Sequence, residues 1–375
     1  MSSSKSSTSR KGALLALLLL LPACGHGGQP APPPPAARAL RIVVLPIENM
    51  TRAWAPLREI RQSLVRRLRD RGYSVPGDES MEIFMARHRM RWTGGIDEQQ
   101  ARAFREEEGV DAVLVTSVET YKEIAPPKIT LVSRMVATGR DPRILWMEGA
   151  ALAGDDSPGV LGLGLVEDPV ALREKAVGLL MASFDRYRAD TSSGGDGRGP
   201  LPKIPAKFAP EILYRSKNAG AGRRYSIAVV PFTNFSDNPG AGEVLALNFV
   251  LQLYRVREFS VLEPGVVRQR LLNMRIIMPD GPSLTDADLL FRSLDTDLVL
   301  SGKVHTYVDY EGWAGDTKAN FSVVVMEWEK RKIVWYSKSD NTGSDTVLLF
   351  DWGKVNSAFA LLSRMAGSVV GMMVP

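Results

Sequence analysis

The apolar and polar positions of this chain follow the same pattern twice, about 185 residues apart. RIVVLPI at 41–47 and SIAVVPF at 226–232 are short, β-branched runs that reach a proline, which predicts a buried strand in each copy. The first copy then predicts a helix at 57–72, whose apolar face and closing glycine are Leu57, Ile60, Leu64, Leu68 and Gly72. Its counterpart at 243–254, EVLALNFVLQLY, is almost wholly apolar and predicts a more deeply buried helix.

The correspondence continues to the end of each copy. A short strand and a second helix are predicted at 73–90 and again at 259–276. The strongest match joins VDAVLVTSVETY at 110–121 to TDLVLSGKVHTY at 296–307, which predicts a strand in both. Two further strands and a final helix follow: strands at 128–138, 143–151, 320–329 and 332–339, and helices at 169–187 and 352–373.

This order of elements predicts an α/β (α+β) fold class, with two tandem related domains that are each a mixed β-sheet covered by helices. The predicted domains span residues 40–188 and 224–375. Residues 189–223 between them are rich in Gly, Pro and Ser and lack a sustained apolar period, which is typical of a linker.

The first residues of the chain predict a lipoprotein signal peptide at 1–23. Charged residues precede an apolar run too short to cross a bilayer, and the run ends in LPAC, which resembles the bacterial lipobox. We therefore expect Cys24, the only cysteine, to be lipidated and to anchor the protein to the membrane. The alternative is an unmodified cysteine after an ordinary secretory signal.

The Pro- and Gly-rich residues 24–39 predict an extended tether. Lipoproteins of the enteric type are retained in the inner membrane by an aspartate after the cysteine, and Gly25 stands there instead. By that resemblance the expected location is the outer membrane, with the protein facing the periplasm. Removal of the signal peptide takes away Lys5, Arg10 and Lys11 and leaves 44 basic against 42 acidic side chains, so we expect no nucleic-acid partner.

The combination of "IAVVPF.N.S" after a lipobox with "D.VLSG.V" before a strand pair resembles the periplasmic α/β domain of the curli-secretion channel lipoprotein. Related domains occur in the lipoprotein activator of a bifunctional penicillin-binding protein and at the amino terminus of the Tol-system translocation protein. The resemblance implies this fold and a role in the cell envelope. It departs from the curli channel because the hairpins near 137–144 and 328–333 have tight turns and short arms, which disfavours a pore.

Residue types that support catalysis are sparse. The three histidines are His26 in the tether, His88 in a basic helix and His305 in a strand, and no nucleophile motif accompanies them. GVLGLGLVED at 159–168 lacks the lysine of a phosphate-binding loop. We therefore expect no enzyme, no cofactor and no bound metal.

Nine arginines crowd the first two helices of the first copy, and the second copy has no equivalent: Arg58, Arg61, Arg66, Arg67, Arg69, Arg71, Arg87, Arg89 and Arg91. They are candidates for contact with lipid phosphates or an acidic partner surface. The alternative is an ordinary solvated helix surface.

Two functions remain compatible with the sequence. The favoured one is a tethered, non-enzymatic adaptor or accessory factor that contacts another envelope protein in an assembly or secretion system. The alternative is self-association into a homo-oligomeric channel or ring of curli-secretion type.

Overall fold

The computed structural model describes residues 39–156, 164–216, 223–273, 291–313, 315–329, 331–347 and 353–373. The predicted signal peptide, Cys24, nearly all of the tether and the start of GVLGLGLVED lie outside these residues. Residues 39–375 belong to one compact unit, and both copies of the repeat lie within it. The predicted fold class is confirmed, because two mixed β-sheets are each covered by helices.

The first half contains a five-stranded sheet in which β1, β3, β4 and β5 lie side by side. Strand β2 pairs with β3 further along the chain, on the same side as β1. Its strands are β1 Ile42–Val44, β2 Glu48–Asn49, β3 Ala112–Lys122, β4 Lys128–Ala137 and β5 Ile144–Ala153. Its helices are α1 Leu57–Arg69, α2 Asp78–Arg87, α3 Glu98–Glu106 and α4 Pro169–Ser192. Helices α1 and α4 cover one face of the sheet, while α2 and α3 cover part of the other.

The second half repeats this arrangement around a seven-stranded sheet of order β6-β12-β11-β10-β7-β9, with β8 beside β10. Its strands are β6 Glu211–Arg215, β7 Tyr225–Val229, β8 Thr233–Asn234, β9 Phe259–Val261, β10 Leu298–Val308, β11 Lys318–Glu327 and β12 Lys332–Thr342. Its helices are α5 Ala241–Tyr254, α6 Pro264–Asn273 and α7 Ala358–Met373. Helices α5 and α7 cover one face, and α6 covers the other.

Strand β6 was not expected, because it lies inside the segment whose composition predicts a linker. It pairs antiparallel with β12 and forms the sheet edge, but all five of its residues are exposed. An exposed edge strand need not alternate apolar and polar residues, so the sequence gives no period to detect. Conversely, the short strand predicted at the start of 73–90 is reduced to a single bridge between Arg41 and Ser74.

Helix α5 lies between the two sheets, which confirms the prediction from its apolar sequence. Val132, Met147 and other residues of the first sheet share one hydrophobic core with α5, α7 and the second sheet. The layers therefore run from α1 and α4 through the first sheet, α5 and α7, and the second sheet to α6. A helix with sheets on both sides must be apolar all round, and twelve of its fourteen residues are buried.

Ion pairs also join the two halves. Arg134 on β4 binds Glu263 before α6 through two parallel hydrogen bonds of 2.8 and 2.9 Å, and both side chains are almost fully buried. Lys128 lies 3.0 Å from Asp309 and 3.5 Å from the ring centre of Tyr310. More exposed pairs add to these: Lys122–Glu311, Glu148–Arg255 and Glu98–Arg270. Separating the halves would take each buried charge away from its partner, which costs free energy. The pairs therefore hold the halves in one relative position.

Candidate functional site

The structure places five of the nine candidate arginines beside carboxylates of their own domain. These pairs are Arg61–Asp78, Arg66–Glu174, Arg67–Glu174, Arg71–Asp185 and Arg87–Glu107. The hydrogen bond to Arg71 lowers the pKa of Asp185, so that carboxylate stays charged and neutralises the arginine at neutral pH. Much of the positive charge counted in the sequence is therefore balanced locally.

The remaining four arginines differ in their surroundings. Arg69 donates to the Val75 carbonyl oxygen at 3.0 Å. Arg58, Arg89 and Arg91 have no carboxylate within ion-pair distance among the described residues. Contact of these arginines with an anionic surface stays a prediction, and it now rests on a smaller set than the sequence indicates.

A different site lies between the two halves, in a cleft of about 180 Å³. The first half contributes the segment after β1, the loop after α2 and the middle of β3 and β4, while the second half contributes α5 and the start of α6. We call this the interdomain cleft. Its wall is mainly apolar and includes Met50, Val229, Leu247, Val250 and Val267.

Charged side chains surround this apolar wall. Glu48 and Glu243 line the cleft, and Glu243 is exposed, so a carboxylate lies where the cleft meets solvent. Glu48 accepts a hydrogen bond from Thr93 Oγ1 at 3.1 Å. Exposed Arg268 lies over the ring of Trp92, 4.7 Å from its centre, and forms another part of the rim.

Arg134 lines the cleft but is not a free cation. Glu263 binds it bidentately, and Arg134 Nη2 also donates to the Gly94 carbonyl oxygen at 2.5 Å. The buried pair therefore fixes the loop after α2 against the start of α6. This leaves Glu48, Glu243 and Arg268 as the lining charges that no oppositely charged described residue pairs with.

Glu119 on β3 lies beside this site and connects it to the domain interface. Burial raises its pKa to about 7, and the charges of Glu243 and Glu48 add to that rise, while a hydrogen bond from Ser117 and the charge of Arg134 oppose it. Ser117 Oγ is 2.5 Å from Glu119 Oε1, and Ser117 itself lines the cleft. The carboxyls thus share one electrostatic environment that disfavours additional negative charge.

This arrangement suits recognition of an apolar segment that carries a basic group. The apolar wall offers burial, and the two carboxylates Glu48 and Glu243 attract a cation against the single opposing charge of Arg268. Within the described residues, no group of three or more His, Cys, Asp or Glu side chains is placed to hold a metal ion. His88 contacts Glu107 at 3.0 Å and His305 stacks on Phe235, both away from the cleft lining.

Sequence reasoning did not find the interdomain cleft. Glu48, Trp92, Arg134 and Glu243 lie far apart along the chain and form no motif. The one usable signal was the contrast between the two copies: α5 is apolar where α1 is amphipathic, which indicates that another layer packs on it. Within the part of the chain that the structure describes, every helix is too short or too polar to cross a bilayer.

No protein-family model and no curated protein matches this sequence. Among solved structures, the PelC dodecamer from Paraburkholderia phytofirmans is 18% identical, covers 43% of this chain and 96% of its own, and has a TM-score of 0.29. The LpoB C-terminal domain from Salmonella enterica is 12% identical, covers 34% and 87%, and has a TM-score of 0.26. Lipoprotein GNA1162 from Neisseria meningitidis is 18% identical, covers 40% and 96%, and has a TM-score of 0.29. Likenesses of this strength assign no function to the chain.

Proposed function

We propose that this protein is a lipid-anchored periplasmic adaptor that contacts another envelope protein of an assembly or secretion system without catalysing a reaction. The observation that carries the proposal is the interdomain cleft, which combines an apolar wall with two carboxylates, Glu48 and Glu243, that pair with no described cation. The occupant we propose is an apolar segment of the partner protein with a lysine or arginine side chain. Cys24 would hold the protein at the outer membrane, and residues 24–39 would space it from the bilayer.

The joint between the halves supports a fixed adaptor surface. Two buried pairs across the interface, Arg134–Glu263 and Lys128–Asp309, constrain the position of the second half against the first. A cleft formed by both halves keeps its shape only if they do not move apart. Because a preformed site loses little conformational freedom when it binds, this rigidity favours recognition.

The packing of the two halves also bears on the alternative of a homo-oligomeric ring. The halves pack head to tail: a sheet face of the first half receives the helical layer of the second. Contacts of this kind, repeated between chains, build rings or filaments. A second chain could dock in the same way only if the equivalent sheet face of the second half can receive a helical layer.

That face of the second sheet carries different residues at the positions that contact α5 in the first sheet. In the first sheet the row Ser117, Val132 and Gly149 lies in register, and a Cβ on Gly149 would meet Leu251 of α5 at 3.2 Å. Trp146 and Trp335 align, so the same register gives the equivalent row of the second sheet: Lys303, Ser322 and Lys338. Two exposed lysines therefore stand where the first half offers a serine and a glycine.

The helical layer that would have to dock there exposes cations without an ion pair among the described residues, including Arg58 and Arg69. Joining the two surfaces would bring like charges together and remove them from water, which costs free energy. These observations favour an adaptor in which the head-to-tail contact forms once, between the two halves of one chain, and is not repeated between chains.

The adaptor proposal is tested by photo-crosslinking of the full-length, lipidated protein in its native envelope. A photo-reactive residue replaces Glu243 at the cleft rim, Arg58 on α1, or Glu82 as an exposed control on α2. We expect a discrete adduct with a different envelope protein from position 243, and a weaker adduct when Met50→Lys places a cation in the cleft. Ile83→Lys, an exposed change on α2, should leave the yield unchanged.

Other outcomes have separate meanings. An adduct that forms only from position 58 would move the contact to the arginine helices. Adducts made only of this chain would favour the ring. A full cellular effect of Cys24→Ser would contradict the anchored role.

A further inference from the structure

A second cavity, separate from the interdomain cleft, lies where the end of α4, residues 197–202 and the end of α5 meet. Its volume is about 480 Å³, which is within the range of small-molecule sites, about 300–1,000 Å³. We call it the arginine pocket because four arginines line it: Arg186, Arg198, Arg255 and Arg257. Only two lining residues, Glu148 and Asp190, are acidic.

Two of these arginines are already paired. Arg255 Nη2 is 2.6 Å from Glu148 Oε1, and Arg257 Nε is 2.7 Å from Asp196 Oδ2. Arg186 and Arg198 have no carboxylate within ion-pair distance among the described residues. With Asp196 added to the two lining acids, the four arginines face three carboxylates, so the pocket keeps one net positive charge.

Arg198 is held in place by neutral groups. Its Nη1 donates to the carbonyl oxygens of Val256 at 3.2 Å and Phe259 at 3.1 Å, and its guanidinium lies over the Tyr254 ring. Burial lowers the pKa of Arg198, and the charges of Arg224 and Arg257 lower it further, while Tyr254 and Asp196 oppose that fall. The Nε and Nη2 donors of Arg198 bind no described protein acceptor and are available to a ligand.

An aromatic wall faces the same space. Trp146, Tyr187 and Tyr254 line the pocket, and Tyr187 is partly exposed and stacks on Phe184 with ring centres 6.0 Å apart. Trp146 Nε1 donates to Ser183 Oγ at 3.4 Å, and that hydroxyl donates to Glu148 Oε2 at 2.9 Å. These bonds fix the wall, so the ring of a ligand would meet a preformed surface.

We propose that the arginine pocket binds a small ligand that carries an oxyanion, a carboxylate or a phosphate, on a planar ring. The planar guanidinium of Arg198 presents paired donors that match such an oxyanion, and Arg186 adds a second charge. The ring packs against Tyr187. This site is distinct from the cleft and does not depend on the adaptor proposal.

The test is isothermal titration calorimetry of the full-length protein in detergent. Phenyl phosphate and benzoate carry the two oxyanions on the same ring, phenol carries the ring alone, and inorganic phosphate carries the anion alone. We expect phenyl phosphate or benzoate to bind at least tenfold more tightly than phenol and inorganic phosphate. The tighter of the two identifies the oxyanion.

Arginine variants locate the site. Loss of a charge-assisted hydrogen bond predicts that Arg198→Ala weakens binding of the better ligand about tenfold to a hundredfold. Arg186→Ala, an exposed change that leaves the packing intact, should weaken binding in the same direction. Arg140→Ala, an exposed arginine on the β4–β5 turn, should have no effect. Equal binding of phenol and the anionic ligands, no binding at all, or wild-type affinity in Arg186→Ala would overturn the proposal.

Discussion

Replacement of Arg134 by valine tests how the two halves are joined. Valine is the residue of the equivalent position, Val324, so the change is compatible with this strand. It removes both hydrogen bonds to Glu263 and leaves that carboxylate buried at 0% side-chain exposure without its cation. Loss of one partner of such a pair costs about 3–5 kcal/mol, and the Gly94 carbonyl oxygen also loses its donor. We expect the free energy of unfolding to fall by about that amount.

The assay is urea unfolding followed by tryptophan fluorescence and circular dichroism. Arg140→Val, which removes an exposed arginine, should cost less than about 0.5 kcal/mol. The double variant Arg134→Val/Glu263→Leu should recover part of the loss, because no buried charge is left unpaired. A cost below about 1 kcal/mol for Arg134→Val, or strictly additive single variants, would refute the reasoning.

Three further predictions concern the same interface. The pKa of Glu119 is raised from 4.5 to about 7, so the folded state holds a proton that the unfolded state releases, and stability should fall as pH rises from about 4.5 to 7. Glu119→Gln should flatten this dependence and stabilise the protein at pH 8 by up to about 3 kcal/mol, measured by urea unfolding; an unchanged pH profile would contradict the raised pKa. Gly149→Lys should lower the free energy of unfolding by at least about 2 kcal/mol, because the new side chain enters the α5 layer. The control, Lys338→Gly at the equivalent exposed position, should lower it by less than about 1 kcal/mol. Gly265→Ala should lower the thermal midpoint, because its Cβ would lie 2.4 Å from a main-chain oxygen of the α2–α3 connection, while Gly77→Ala, with open space around it, should not; equal effects would argue against this close approach.

The repeat made most of the fold predictable. Strands β3 and β10 follow from one matched pattern, and α1 and α4 follow from their apolar period. Strand β6 could not be predicted, because all five of its residues are exposed and the strand therefore shows no alternation of buried and exposed positions. The cleft was hidden for a different reason: Arg134 and Glu263 are separated by 129 residues and meet only because the second half docks on the first sheet.

The predicted arginine cluster shows a related limit. A one-dimensional count of charge cannot show that Glu174 and Asp185 on α4 lie beside Arg67 on α1 and Arg71 just after it. Helices that pack side by side on one face of a sheet bring such pairs together, so local charge density overstates the charge available to a partner.

The most direct test of the account is the mass of the full-length, lipidated protein, measured in mild detergent by mass photometry over a range of concentrations. If the head-to-tail contact stops after one step, the protein should be a single chain throughout, and Lys338→Gly should not by itself create a larger species. A closed assembly of many chains that persists on dilution would contradict the account and would favour the homo-oligomeric ring.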